Sequence, residues 1–271
     1  MSEPSESPKS SINQFTEQEI TAITDAQKLL VSEGFPSELI SIPELALVTM
    51  NCKLQIGPAV LKYKRWLSSL EAFGIRNFDE IWDEIKRDGS GDWDKLAEYF
   101  SFYHGCGKHN NGENVMWIKA VAVPIGAERQ AIKASVIYHR AIHSNFDSLR
   151  NGIVFVIDTQ SKDLANKIGN ESKLQRATQS TPSRPQAIYI IEPNLLKRMA
   201  INALVYIASF FTKEKVLKRM KFVEMEDVTK HFDQESLPVY VGGEGGGITD
   251  IPTWVKSQLE AFHPNYSVLL K

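Results

Sequence analysis

The sequence predicts an α/β protein whose first third is a helical subdomain. Three observations carry that prediction. Up to about residue 90 the apolar residues recur at helical spacing. After about residue 112 the period changes: continuous apolar runs such as GIVFVID and AIYIIE alternate with stretches of helical composition, the pattern of a largely parallel sheet. The chain has 271 residues, 42% of them hydrophobic, enough to bury a substantial core.

The elements follow in order. Residues 1–15, beginning MSEPSESPKSSINQ, are expected as a disordered tail, rich in Ser, Pro and Glu and without the basic start and apolar stretch of a signal peptide. Thr16 with Glu19 three residues on makes a candidate capping box, and Ile20, Ile23, Leu29 and Leu30 share one face of the helix that follows. A second helix is expected over residues 58–70. A third carries Phe78, Ile81, Trp82 and Ile85 at i, i+3, i+4 and i+7, and DGSGD ends it. Residues 16–90 are thus expected as the helical subdomain. Beyond them, NVMWIKAVAV reads as a strand and AERQAIKASVIYHRAIHSNF as a helix. GIVFVID reads as a strand buried on both faces, SKDLANKIGNESKLQRAT as helical, and AIYIIE as a second buried strand. A basic helix, TKEKVLKRM, and a short strand, KFVEM, complete the unit. The glycine-rich GGEGGG continues into an expected Pro-Thr-Trp turn.

The totals exclude several functions. Net charge is −2, from 31 Lys+Arg against 33 Asp+Glu, so no global field recruits nucleic acid. The 2 cysteines, Cys52 and Cys106, are too few for a disulfide framework or a thiolate metal site, and a reducing, cytoplasmic setting fits them best.

One stretch stands out. Residues 199–211, MAINALVYIASFF, are apolar apart from Asn202, Tyr206 and Ser209, and charge flanks them on both sides. A bilayer span needs about 20 apolar residues, so this stretch is too short to cross. The three polar residues fall at i, i+4 and i+7, one thin stripe on an otherwise apolar cylinder. Composition alone favours an ordinary core helix, buried all round.

Five pieces in order change that reading: HG…NVMWIKA, GIVFVID, TPSRPQAIYIIEPN, FTKEKVLKRMKFV and HFDQESLPVYVGG. Together they resemble the CRAL-TRIO lipid-binding domain, the fold of the yeast-type phosphatidylinositol transfer proteins and of the tocopherol and retinal carriers. The resemblance implies an α/β lipid-binding bowl over residues 91–250, packed on the helical subdomain and followed by a C-terminal extension, residues 251–271. It implies that residues 199–211 form a movable lid helix over the bowl. A helix that covers a lipid and then touches a bilayer must tolerate hydrocarbon on two sides, which suits the thin polar stripe.

The same resemblance implies candidate ligand-binding residues. Strand alternation puts Ile153, Phe155 and Ile157 on one face, and their position relative to Asp158 matches the family's ligand-facing set. Tyr103, Met116, Ile118 and Tyr138 join them, with Ile201, Leu204, Val205 and Ala208 on the lid. All are apolar or aromatic, and the hydroxyl pairs that hold choline in some relatives are missing. That leaves room for a sterol, a prenol-like molecule, a fatty acid or a phospholipid. The family's LRAR-K-F signature stands here as Met50-Asn51-Cys52-Lys53-Leu54, and its K-P-F-[LI] as Ser209-Phe210-Phe211-Thr212. The cations replaced by Cys52 and Ser209 help neutralise phosphate in relatives that bind phosphatidylinositol, which weakens the case for that lipid. Lys53 stays as a candidate phosphate or membrane contact. So do Lys213, Lys215, Lys218, Arg219 and Lys221, since a basic cluster gains about 1 kcal/mol per cation near an anionic leaflet.

No catalytic set, metal site or cofactor is expected. His139 and His143 are four apart on a predicted helix, and Cys106 or His109 could supply a third ligand, but no HExxH is present and satisfied, partly buried histidines are the expectation. GGEGGG opens no helix with a GK[ST] ending, and GxSxG is absent. Asp158 ends a buried strand without a recognisable partner base or nucleophile. The expected function is a non-enzymatic lipid-binding or lipid-transfer protein, cytoplasmic and peripherally membrane-associated, with a lipid ligand and a transient membrane surface as partners. An alternative keeps the fold as a module that recruits a protein partner to membranes. A metal- or Asp158-dependent hydrolase is the third class.

Overall fold

Helix α1 (Glu17–Ser32) starts where the sequence caps it. Thr16 Oγ1 accepts the Glu19 N–H at 3.3 Å, and the Glu19 carboxylate accepts the Thr16 N–H at 2.8 Å, a reciprocal capping box. The structure is a computed structural model that describes residues 13–88, 100–103, 114–119, 126, 128–158, 181–192, 218–232, 234, 237, 244 and 250–270. Three more helices follow in the N-terminal part: α2 (Ile42–Asn51), α3 (Ile56–Glu71) and α4 (Phe78–Asp88).

Helix α2 has no counterpart among the elements expected from the sequence. Every residue from Ile42 to Met50 is buried, so the helix sits inside the helical layer and shows no polar face to betray its period. Lys53 (φ 54°) and Leu54 (φ 61°) then turn the chain through the left-handed region before α3.

The α/β part is built on a five-stranded sheet in the order β1 (Phe100–Tyr103), β2 (Val115–Lys119), β3 (Ile153–Asp158), β4 (Pro185–Glu192) and β5 (Met220–Glu224). The first pair is antiparallel and the remaining pairs are parallel. Between β2 and β3 run α5 (Glu128–Ile142) and α6 (Phe146–Asn151), where the sequence suggests a single helix. Asn145 separates them, its side chain accepting the Ser148 N–H at 2.6 Å as an N-cap. The expected Pro-Thr-Trp turn is instead the start of helix α7 (Ile251–Phe262), capped by Asp250, with proline in the first turn where a missing N–H costs nothing.

The sheet separates two apolar layers. Met116, Ile153, Phe155, Ile157, Ile188 and Ile190 face the core formed with α5, α7 and the N-terminal helices. Val115, Trp117, Val154, Val156, Tyr189 and Ile191 face a second cluster closed by Val228, Phe232 and Leu237. All six β3 residues are buried, as a continuous apolar run predicts. Among the described residues no helix is long and apolar enough to cross a membrane.

Candidate functional site

The face shared by Met116, Phe155 and Ile157 is the one α5 crosses. Register pairs Met116 with Phe155 and Ile118 with Ile157 across β2 and β3, and alternation brings these four to one surface. Cover over that surface is uneven. Met116 and Ile153 are completely buried and Phe155 nearly so, whereas Ile157 is 8% exposed and Ile118 only half-buried. Exposure thus rises towards the carboxyl ends of the strands, the end at which open α/β sheets bind ligands.

Helix α5 repeats the pattern. Ala131 and His139 are half-buried while the residues between Ile132 and Tyr138 are closed off. His139 meets the sheet directly, its ring centroid 5.9 Å from that of Phe155. It lies deep in the protein and still keeps accessible surface. Tyr138, one residue and about 100° of helix rotation earlier, is fully buried.

Hydrogen bonding fixes both histidines. His139 Nδ1 lies 2.7 Å from the Ser135 carbonyl, and His143 Nδ1 lies 2.6 Å from the His139 carbonyl. A carbonyl can only accept, so each Nδ1 carries the proton and each Nε2 presents a lone pair. His143 Nε2 is buried with no hydrogen-bond partner among the described residues. Burial pushes the pKa of His139 down to about 4 and that of His143 down to about 3, from an ordinary 6.5.

These shifts predict acid lability. As pH falls from 6.5 towards 4, the unfolded chain takes up protons that the folded chain refuses, so stability is lost by on the order of 3 kcal/mol per histidine. Glu44, pushed up to about 7 by burial against the pull of Arg140, opposes part of that loss between 4.5 and 7. Urea midpoints measured across this range should fall with acid, and His143→Gln should flatten the fall. An unchanged slope in the variant would remove His143 from the account.

The remaining candidates are scattered. Tyr103 lies in β1, whose side chains are outside the described residues, as are Ile201, Leu204, Val205, Ala208, Lys213, Lys215, Cys106 and His109. Lys53 is exposed on the left-handed turn between α2 and α3. Lys218 is exposed, while Arg219 donates from Nη1 to the Pro185 carbonyl. Lys221 is exposed on the other side of the sheet, its ammonium 5.2 Å from the Tyr189 ring. Phe222, next along β5, returns to the α5 side and is 48% exposed. Asp158 is 5% exposed at the end of β3. Among the described residues no group of three or more His, Cys, Asp or Glu is placed to hold a metal ion.

His139 is the residue whose place the sequence conceals. Spacing presents it only as half of a chelating pair with His143, whereas the fold sets it against the sheet face.

Comparison with known proteins agrees with this architecture. The CRAL/TRIO domain matches residues 97–243, more than half of the chain. Over 118 residues the chain is 30% identical to tyrosine-protein phosphatase non-receptor type 9 of mouse and of human, covering 42% of this chain. The matched part is 18% of those relatives' length. A mixed α/β unit with four parallel strands, an apolar face beneath a crossing helix and a helical N-terminal region, together with that match, place the chain in the CRAL/TRIO domain family.

Proposed function

We propose that this protein binds one lipid between the sheet and its crossing helices, and exchanges it with membranes. The observation that carries the reading is the Met116–Phe155–Ile157 face: wholly apolar, deep, and incompletely covered next to Ile118 and His139. An apolar surface of that kind loses contacts and gains nothing by staying empty. A hydrocarbon guest supplies them.

Topology supports the place of the lid. Connections between neighbouring parallel strands are right-handed in about 98% of cases. In a sheet read from β2 to β5 in one direction, that rule favours a lid on the face that α5 covers. The crossover after Glu192 contains residues 199–211, the proposed lid. Energetics favour an exchanger over a receptor for free ligand. Each buried methylene is worth about 0.8 kcal/mol, so a two-chain lipid would cost on the order of 20 kcal/mol to bring bare into water. Passage from bilayer to apolar cleft avoids that cost. The protein is proposed as non-enzymatic, cytoplasmic and peripherally membrane-associated.

The replacement of the family's phosphate-binding cation at Cys52 supports a second reading, an interaction module without transfer. Native mass spectrometry of protein purified from cells separates the two. A single lipid bound per chain, and transfer of pyrene-labelled phosphatidylcholine between phosphatidylcholine–phosphatidylserine vesicles, are expected. An empty protein that moves no lipid would leave the interaction module standing.

A further inference from the structure

We propose that His139 is the polar anchor of the cleft, accepting through Nε2 a hydrogen bond from a hydroxyl on an otherwise apolar guest, which makes the cargo a neutral lipid alcohol. The proposal rests on the reading of this face as a lipid site and names the class of lipid that the site prefers.

Four observations lead there. The first is tautomeric: the Ser135 carbonyl holds the Nδ1 proton at 2.7 Å, so the opposite nitrogen is an acceptor. The second is position. The ring stands against Phe155, on the incompletely covered surface, and beyond Ser135 the His139 ring has no further hydrogen-bond partner among the described residues. An acceptor set among apolar side chains is costly to leave unmatched, and the cost is recovered when a donor arrives.

The third observation concerns charge. The other ionisable groups of the middle of α5 are engaged elsewhere: Lys133 donates to Glu84 at 2.7 Å, and Arg140 lies 4.0 Å from Glu44. Every described residue of the sheet floor beside His139 is uncharged. Among the described residues, a phosphate or carboxylate buried there would find no free cation. The fourth is the state of the imidazole itself. Burial keeps it neutral near pH 7, so it would not pair with an anion as an imidazolium does. A hydroxyl suits it, because a hydroxyl donates without bringing charge.

His143 repeats the tautomer one turn on, but it is completely buried. His139, with accessible surface left, is the one a guest can reach.

The test compares ligands that differ only in the donor. Dehydroergosterol and hexadecanol are each titrated into delipidated full-length protein beside their own methyl ethers, with hexadecanoate and pyrene-labelled phosphatidylcholine as further probes. Each alcohol is expected to bind about tenfold tighter than its ether, the effect of one hydrogen bond in a dry site. His139→Leu should erase that preference, and His139→Gln, which keeps an acceptor, should restore it. In the wild type the 15N resonance of His139 Nε2 should move with the alcohols and stay in place with the ethers, a readout that needs no variant. Equal binding of alcohol and ether, or a preference that survives His139→Leu, overturns the anchor while leaving lipid binding intact. If no probe binds at all, the lipid-site reading beneath it fails as well.

Discussion

Arg140→Ala is expected to cost about 3–5 kcal/mol of folding stability, the usual effect of breaking a buried ion pair from one side. Arg140 is 1% exposed and stands where five elements meet. From α5 its Nε lies 4.0 Å from Glu44 of α2. Its guanidinium lies over the Tyr266 ring at 4.9 Å and the Phe78 ring at 5.9 Å, bringing in α4 and the C-terminal 3₁₀ segment. Trp66 of α3 joins by donating its indole N–H to Glu44 at 3.1 Å. Truncation leaves Glu44 without its cation, strips two rings of their partner and opens a void. Burial already holds the Glu44 carboxyl up at about 7 despite Arg140, so losing the cation pushes it further towards the neutral acid. Adding Glu44→Gln to the variant should therefore recover part of the loss, a coupling that a double-mutant cycle measures. Urea denaturation is the assay. A loss below about 1 kcal/mol would mean that the Arg140–Glu44 pair does little to hold the helical layer to the α/β unit, leaving that to apolar contact and to the Lys133–Glu84 and Arg150–Glu19 pairs.

Gly152→Ala is expected to be comparably damaging, on the order of 4 kcal/mol, a size reserved for a few mechanisms of which two act here together. Gly152 has φ 96° and ψ −166°, a conformation open essentially to glycine only. A Cβ at this position would also stand 2.1 Å from the Arg184 carbonyl oxygen. That oxygen accepts the Ile153 N–H at 2.9 Å, so it cannot retreat without opening the β3–β4 ladder at its first rung. Gly74 provides the control: its φ is 67°, but a Cβ there would meet nothing within 4 Å. Gly74→Ala should cost only about 1 kcal/mol, from backbone conformation alone. If the two variants unfold at the same urea concentration, the collision at Arg184 is not the governing effect. Because β3 carries Phe155, Gly152→Ala should also lose the proposed lipid binding.

Much of the fold can be read from residues alone, and the exceptions have physical causes. GIVFVID and AIYIIE declare themselves because strands covered on both faces must be apolar at every position. Thr16 and Glu19 announce α1 through a local pairing that needs no tertiary context. Helix α2 stays hidden for the opposite reason, since a helix enclosed on all sides lacks the alternation by which helices are found. Strand β1, FSFY, is only four residues long and offers too few positions for a period. At Pro252 the ring passes for a breaker, although Asp250 before it marks a helix start.

The proposed binding face is legible in part. Alternation assigns Phe155 and Ile157 to one side of β3 correctly because strand geometry is local. Which residue of α5 stands over Phe155 depends on how the helix lies across the sheet, and no spacing in the sequence encodes that. The ring of His139 comes to 5.9 Å from that of Phe155, a contact that its spacing from His143 does not announce.

Glu19 has a second bond whose partner is far away in the chain. Besides its cap, its carboxylate receives Arg150 Nε at 2.8 Å, across 131 residues. Phe15 just before the cap packs on Tyr266, later still. On a ribosome adding about 5–20 residues per second, the cap can close at once, but its anchorage must wait many seconds for the rest of the polypeptide to emerge. A helix that is complete before the other described helices are made is therefore among the last to be moored.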